Sequence, residues 1–483
     1  MRKFVELNKD QKILKVALDV PVNKLFDYIS NDSKIKIGQY VKVPFGNRSL
    51  IGICCEISNK TQIEPNKLKT IIHIDSEVIF DTLMLKLLNF VSDYYHHPIG
   101  QTIMSVVPSR IKKNSPSSRK KELLFKANKK LTKEIIENFP KRQLRLKNIA
   151  NAILEENLRQ RDLKKLASNS GECIKKLEQL GLISSEVYIP KTINAKSIKP
   201  TLNEDQKNVI DCINQCKTFK PWLIHGVTAS GKTEIYINLI TKLLLDKPSQ
   251  VLMLIPEINL TPQLEARFQD RFYDKKIVIL HSYLSNLDRL DNWRDAKAGK
   301  ADIVIGTRLA VFTPMPNLKM IIIDEEHDAS FKQSEGLKYH ARDVAMIRAK
   351  NSNIPIVMGS ATPSLEIWYK AINAQQNFQY FKLNKRAVDD SRLPIIKTIQ
   401  VNEKTKLQIS KQVIDEIEKR IHKKEQTIIF VNRRGYSPVL ICSSCGWVAE
   451  CKRCSTRLVV HLQKKRLKCH HCGHEEKVNN SCF

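Results

Sequence analysis

The 483 residues include only 15 glycines and four tryptophans, and no uninterrupted apolar run reaches the length of a membrane span. A bilayer-crossing helix needs about 20 mostly apolar residues, so helical membrane proteins are excluded as a class. The opening "MRKFVELNKDQKILKVALDV" scatters charges where a secretory leader carries an apolar core, so a soluble, cytoplasmic protein without membrane partners is expected. No self-similarity recurs at a fixed period, which excludes a solenoid. Acidic residues are also in short supply, at 50 Asp and Glu against 81 Lys and Arg, a formal net charge of +31. Such a field attracts polyanions, usually nucleic acid. A Lys-, Ile- and Asn-rich AT-biased genome yields the same excess, so charge alone leaves both readings open.

What is present is enough apolar residue, 42%, for packed cores. The length calls for about two to four domains. Residues 12–106 read as short strands, among them "ILKVALDV", "QYVKVPFG" and "SLIGICCEI". After Pro108 a basic linker leads into helical periodicity in "LRLKNIANAILEENL" and "CIKKLEQLGLI". Helix, glycine turn and strand in that order suit a winged helix, as they suit other small helical domains. From 201 to about 380 apolar strands alternate with amphipathic helices, which implies a parallel sheet covered on both faces. From about 400 a second such unit opens with "ISKQVIDEIEKRIH" and the strand "TIIFV". The fold class is therefore multidomain α/β. Its expected parts are a β-rich N-terminal domain (1–108), a helical domain with its basic linker (109–200), a P-loop lobe (201–395), the start of a second lobe (396–441) and a cysteine-rich module (442–483).

"HGVTASGKTEIY" contains Gly226, Val227, Thr228, Ala229, Ser230, Gly231, Lys232 and Thr233, the pattern G-x-x-x-x-G-K-T between a predicted strand and a predicted helix. In so glycine-poor a chain, a chance match with both flanks correct is rare. The loop's N–H groups and the helix N-terminus face phosphates. Lys232 is expected on the β and γ phosphates and Thr233 on Mg²⁺. "MIIIDEEH" brings Asp324 and Glu325 to the carboxyl end of a strand, where ligands of open α/β sheets bind. Asp324 suits the magnesium-holding carboxylate and Glu325 the residue that orients and deprotonates water. A lone acidic turn is usually just solvated; following a phosphate loop, this one points to nucleoside triphosphate hydrolysis.

Seven of the twelve cysteines lie between Cys442 and Cys482, as three Cys-x-x-Cys pairs and one lone cysteine. In a reducing compartment clustered pairs favour metal over disulfides. Cys451, Cys454, Cys469 and Cys472 form a complete tetrahedral Zn²⁺ set. Cys442, Cys445 and Cys482 flank it as an outer set one ligand short. Cys54, Cys55, Cys173, Cys212 and Cys216 have no metal spacing and read as small hydrophobes or surface thiols.

"GSATP" (359–363), "PEINLTPQ", "LHS", "IVIGTRLAVFTP", "SFKQSEGLKYHARD" and "FVNRRGYSP" follow one another in the order and spacing of superfamily 2 helicases. Together with "VPVNKLFDYIS", "VKVPFGNR", "SDYYHHPIGQ" and the cysteine module, they make the chain resemble, end to end, the PriA family of primosomal replication-restart helicases. That resemblance implies an ATP-dependent 3′→5′ DNA helicase that recognises forks and initiates primosome assembly. It implies a winged helix at 109–200, RecA-like lobes, and a 3′-DNA-end pocket at Phe26, Asp27, Gly38 and Lys69. It places strand contacts at Thr307 and Arg308, a DNA-sensing loop at Phe331 and Tyr339, coupling at Ser360, Ala361 and Thr362, and an adenine contact at Gln206. Its partners are forked and single-stranded DNA, other primosome proteins, single-stranded DNA-binding protein and the replicative helicase loader. The chain departs from the family at Leu337, commonly aromatic, and at Ala229, usually glycine and tolerable only at negative φ. In the family the outer zinc set closes with a further cysteine and the second lobe continues, with arginines that reach the γ-phosphate. The sequence is on that ground expected to be a truncated copy, and a fork- and ATP-binding protein without unwinding is the alternative reading. A restriction-type or RNA translocase is excluded by the N-terminal domain and the cysteine module.

Overall fold

Alternating apolar and polar residues between 12 and 58 give strands with one buried face. They are β1 (Lys12–Leu18), β2 (Phe26–Ser30), β3 (Gln39–Phe45) and β4 (Arg48–Ser58). With β5 (Lys69–Thr70) and β6 (His73–Val78) they form a sheet of order β5-β2-β1-β4-β3-β6, antiparallel except where β2 meets β5. The remainder of 12–106, expected as strands, is instead two helices, α1 (Thr82–Tyr94) and α2 (Ile99–Val106). The cause is spacing: Met84, Leu85, Leu87, Leu88 and Val91 are buried at intervals that suit a helix, and the Asp81 carboxylate caps it by accepting from the Met84 N–H at 2.7 Å.

The computed structural model describes residues 5–6, 11–112, 123–187, 200–386, 395–399, 410–430 and 440–478, except 33, 65–66, 141–142, 160–161, 164–169, 247, 257–261, 283, 443, 453–456, 462–465 and 470–473. Two compact units result, Met1–Ser391 and Arg392–Phe483. Among the described residues no helix is long and apolar enough to cross a membrane.

Between 123 and 187 the strand β7 (Leu123–Ala127) pairs antiparallel with β8 (Leu158–Arg159) and β9 (Ile183–Val187). Helices α3 (Leu144–Glu155) and α4 (Ser170–Gln179) cover a core that includes Phe125, Ile149, Ile153 and Leu177. Gly181, at φ +66°, turns α4 into β9.

The P-loop unit is a wholly parallel seven-stranded sheet. Its strands are β10 (Pro221–Gly226), β11 (Gln250–Leu254), β12 (Ile277–Leu280), β13 (Ile303–Gly306), β14 (Leu318–Asp324), β15 (Ile356–Ser360) and β16 (Gln379–Leu383). Their order is β12-β13-β11-β14-β15-β10-β16. Alternate residues feed two cores: Ile322 packs on one face, Ile321 and Ile323 on the other. Helix α5 (Glu204–Asn214) and α6 (Lys232–Leu243) cover one face, with α7 (Pro262–Arg271) following β11. Helices α8 (Asn286–Lys297), α9 (Ala341–Asn351) and α10 (Leu365–Ile372) complete the lobe.

The second face shares its core with the N-terminal helices, since Leu88, Val91 and Ile103 belong to the same cluster as Trp293, Phe312 and Met358. Polar bonds reinforce the seam. Glu77 pairs with Arg294 at 3.1 Å and Lys297 at 2.7 Å, and the Tyr95 hydroxyl accepts from the His340 N–H at 3.1 Å.

In the second unit, α11 (Lys411–His422) buries no residue. The strand expected at "TIIFV" is absent: residues 427–430 join no sheet, and Ile428 and Phe430 are 94% and 88% exposed. A parallel strand forms only beside a partner, and none is present among the described residues of this unit. Three short strands, Val459–His461, Arg466–Lys468 and Glu475–Lys477, make an antiparallel sheet over Cys451, Leu458, Leu467 and Cys469.

Candidate nucleotide and nucleic-acid sites

Strand β10 ends at Gly226 and α6 opens at Lys232, so the intervening loop caps the helix N-terminus as the motif requires. Gly231 sits at φ +81° and Ala229 at φ +64°. The condition under which Ala229 was tolerable, negative φ, is therefore not met, and a Cβ in the left-handed region crowds the carbonyl that follows it. The Lys232 ammonium donates to the Gly226 carbonyl at 2.9 Å and lies 3.9 Å from the Glu325 carboxylate. The Ser230 N–H donates to the Val227 carbonyl at 3.0 Å. The buried Ser230 hydroxyl has no partner among the described residues, an orphan that suits a phosphate oxygen. Thr228 is exposed at the tip and Thr233 is half-buried in the first turn.

Gln206 differs from expectation. Its carboxamide oxygen accepts from the Asn203 N–H at 2.9 Å, closing a capping box on α5, and its NH₂ donates to the Ser230 carbonyl at 2.9 Å. Both ends are engaged within the protein and the residue is buried, so in this structure it holds the phosphate loop.

Asp324 ends β14, and Glu325 follows at φ +46°, a strained backbone of the kind found at functional sites. Burial, then the neighbouring Glu325 charge, push the Asp324 carboxyl up to about 6. A carboxylate so placed gains from a divalent cation. Sequence reasoning missed its neighbour, Tyr236. This fully buried phenol, one turn past Lys232, donates to Asp324 Oδ1 at 3.1 Å. A Cβ at Gly359 would lie 1.6 Å from the Tyr236 hydroxyl, which explains why glycine opens "GSATP". The i, i+4 spacing from Lys232 was the available signal.

Strand β15 lies between β10 and β14, so Ser360 reaches both sides of the cleft. His327 Nδ1 is 2.7 Å from the Ser360 hydroxyl and 3.6 Å from Glu325 Oε2, and its Nε2 is 3.3 Å from the Thr362 hydroxyl. The Thr362 N–H also donates to Ser360 Oγ at 3.0 Å, across Ala361. Behind them the buried Glu326 carboxylate accepts from Arg342 at 3.0 Å and from the Ser364 N–H at 2.7 Å, joining β14 to α9 and α10.

Thr307 and Arg308 follow β13, and Arg308 donates to the Ser330 carbonyl at 3.2 Å, tying this turn to the segment after the acidic motif. Phe331 and Tyr339 are 0% and 3% exposed, so neither is available for base stacking; they pack into the lobe core, with Leu337 also buried. In the N-terminal sheet, half-buried Phe26 meets Phe45 edge-on at 5.4 Å, and Asp27 accepts from the Thr61 hydroxyl at 2.6 Å. Lys69 is exposed on the neighbouring strand, in register with Tyr28. These three share one sheet edge. Gly38 does not join them. It lies on the far side of β1 and β4, donates to the Cys54 carbonyl and accepts from the Ile79 N–H, and a Cβ there would strike the Phe80 carbonyl at 1.8 Å. Its glycine is explained by packing.

Cys451 and Cys469 are buried side by side in the small core of the cysteine module, and Cys442 and Cys445 bracket a turn closed by Gly446 N–H to the Cys442 carbonyl at 3.0 Å. Cys454, Cys472 and Cys482 lie outside the described residues. Among the described residues no three His, Cys, Asp or Glu side chains group as a metal site. Two buried thiols in one small core fit half of a Zn²⁺ set.

Three family models match in chain order. They are the PriA 3′ DNA-binding domain over 15–108, the DEAD/DEAH box helicase over 193–368 and the PriA DNA helicase Cys-rich region over 451–477. Replication restart protein PriA of Haemophilus influenzae is 36% identical over 98% of the chain, and that of Rickettsia conorii 32% over 98%. The Bacillus subtilis protein is 38% identical over 66%. The chain spans 65%, 61% and 41% of their respective lengths. A solved structure, "Structure of RecG bound to three-way DNA junction", aligns with a TM-score of 0.32 at 20% identity over 41% of this chain and 25% of that one, a likeness too slight to carry weight. A 3′ DNA-binding domain, a helicase lobe and a PriA-type cysteine-rich region in one order, aligned along nearly the whole sequence with PriA proteins, mean that the chain belongs to the PriA family.

Proposed function

We propose that this chain carries the fork-recognising and ATP-hydrolysing part of a 3′→5′ DNA helicase of replication restart, which initiates primosome assembly. The observation that carries the reading is the cleft where β10, β15 and β14 end side by side. It gathers Lys232, Thr233, Asp324 and Glu325 within reach of Ser360 and Thr362. Bound ATP with Mg²⁺ supplies the phosphoanhydride to be cleaved and a cation that neutralises its charge. Lys232, released from the Gly226 carbonyl, binds the terminal phosphates. Thr233 and Asp324 hold the metal, with Tyr236 fixing the carboxylate. Glu325 orients water and accepts its proton. His327 and Ser360 sense that rearrangement and pass it to Thr362, while Arg308 on the Ser330 carbonyl links the acidic strand to the DNA groove.

At the other end of the same core, the edge of β2 with Phe26, Asp27 and Lys69 takes a 3′ DNA end, and the helix–turn–strand of 123–187 acts as a winged helix. Cys451, Cys454, Cys469 and Cys472 hold one Zn²⁺, with Cys442, Cys445 and Cys482 contributing to a second. Forked and single-stranded DNA are the substrates. Other primosome proteins, single-stranded DNA-binding protein and the replicative helicase loader are the partners.

A second reading, fork and ATP binding without unwinding, is favoured by one observation: residues 427–430 pair with no strand among the described residues. The same experiment tests both. ATP hydrolysis by the full chain is measured with and without forked DNA, beside fork binding and metal content. DNA-stimulated turnover supports the helicase reading. Fork binding without turnover selects the second. No fork binding overturns both.

A further inference from the structure

The reaction outlined above uses Asp324, Glu325 and His327 and passes over the residue among them. Glu326 is fully buried, a place where a carboxylate is almost never kept without partners. Its donors come from the starts of two helices. Oε1 accepts from the Ser364 N–H at 2.7 Å, and Oε2 accepts from the Ser364 hydroxyl at 2.9 Å and from Arg342 at 3.0 Å. Arg342, also buried, donates to the Ser364 hydroxyl at 2.8 Å, so the three side chains close a triangle.

Two features set the triangle apart from contacts that only stabilise. Ser364 is the N-cap of α10, where a serine normally accepts from an N–H of the first turn, yet its side chain makes no such bond and is engaged by Glu326 instead. Stability does not call for the ions either, since well-packed apolar residues often serve as well as a buried ion pair. The second feature is position. Glu325, just before it, holds a strained φ of +46°, which persists only where neighbours fix it. The Glu326 N–H donates to the Gly359 carbonyl at 3.1 Å, and Ser364 ends the turn in which Ser360 and Thr362 meet His327. Arg342 lies two residues beyond His340, which pairs with Lys332 and closes the segment that Arg308 holds at Ser330. One carboxylate thus fixes both that segment and the 360–364 turn to the strand that carries Asp324.

We propose that Glu326, with Arg342 and Ser364, is a positioning residue that couples occupancy of the nucleotide cleft to occupancy of the DNA groove. It touches neither ligand. It holds the 360–364 turn and the start of α9 in register with Glu325 and His327, so a shift on either side is felt on the other. The proposal rests on the ATP and DNA-groove readings given above. By linkage the effect is reciprocal: nucleotide alters fork affinity by the factor by which fork alters nucleotide affinity.

The test needs no turnover. Affinity of the full chain for forked DNA is measured by fluorescence anisotropy with and without Mg²⁺ and a saturating non-hydrolysable ATP analogue. Analogue affinity is measured with and without fork. The parent's fork affinity is expected to change about tenfold between the two conditions, the usual size of such coupling. Ser364→Ala removes only one hydroxyl from a half-buried residue and is expected to reduce that ratio. Glu326→Leu combined with Arg342→Met replaces both ions together, so neither charge is left buried alone. It is expected to bring the ratio within about twofold of unity while fork and analogue, each alone, bind as to the parent. An unchanged ratio in Ser364→Ala overturns the proposal, even where the double variant does not fold, and so does a double variant that keeps the parent's ratio. Loss of either separate affinity in Ser364→Ala also overturns it, since the residue then belongs to a binding site. A parent that binds both ligands without coupling overturns the proposal and leaves the functional reading standing. A parent that fails to bind fork or analogue overturns that reading, and the coupling with it.

Discussion

Gly359 and Tyr236 make a pair whose energetics can be worked through before any measurement. In Gly359→Ala the new methyl lies 1.6 Å from the Tyr236 hydroxyl and 2.9 Å from ring atom Cζ. Overpacking of this kind costs about 1–3 kcal/mol. Driving the phenol away also breaks its bond to Asp324 Oδ1, worth about 1.5–3 kcal/mol for a charged acceptor. The single substitution should thus destabilise by about 3–5 kcal/mol. Tyr236→Phe alone loses only the hydrogen bond. In the Tyr236→Phe background the worst contact has gone, and the ring needs to yield a few tenths of an ångström, at a cost of about 1 kcal/mol. The double variant should therefore be more stable than the sum of the singles predicts, by about 2–4 kcal/mol. Urea unfolding of the four proteins, followed by circular dichroism, measures this directly. Additivity within about 0.5 kcal/mol would refute the contact and with it the assigned role of Tyr236.

Ala229→Gly relieves a left-handed alanine and should stabilise by about 1 kcal/mol, with nucleotide affinity retained or improved; a lowered melting temperature contradicts the positive φ. Asp324, with its folded pKa raised from 3.8 to about 6, contributes stability that is fully present below about pH 4 and is lost as pH rises through 6. Without divalent cation, Asp324→Asn should therefore gain on the parent protein between pH 4 and 6 and level off above, by at most about 3 kcal/mol since one edge of the carboxylate meets solvent. A gain independent of pH removes that cause. Cys451→Ser should lose about one equivalent of zinc by atomic absorption, and unchanged content would relocate the inner site.

Elements whose signal is local were legible in the sequence. Six strands of the parallel sheet announce themselves as apolar runs, five of them with both faces largely buried, and the phosphate loop is written in contiguous residues. The seventh, β16, is half-exposed at an edge and gives no such run. Helices α1 and α2 were misread because the whole stretch from 12 to 106 was read together with the strands that open it, although the leucines and methionine of α1 recur at helical spacing. The placement of the site was legible where one motif supplies contiguous residues, as with Lys232 at the helix start and Asp324 at the strand end. It was illegible where a role depends on what packs behind. Gln206 is diverted into a cap, Phe331 and Tyr339 into a core, Gly38 into a strand crossing, and Tyr236 becomes functional only because Gly359 makes room.

The strand order of the parallel sheet has one more consequence. Gly226 and Ser360 are separated by well over a hundred positions of chain, yet β10 and β15 are neighbours, and neighbouring strands run about 4.8 Å apart. The coupling proposed for Ser360 and Thr362 therefore need not run along the backbone: a single rung of the ladder, already hydrogen-bonded, separates them from the phosphate loop.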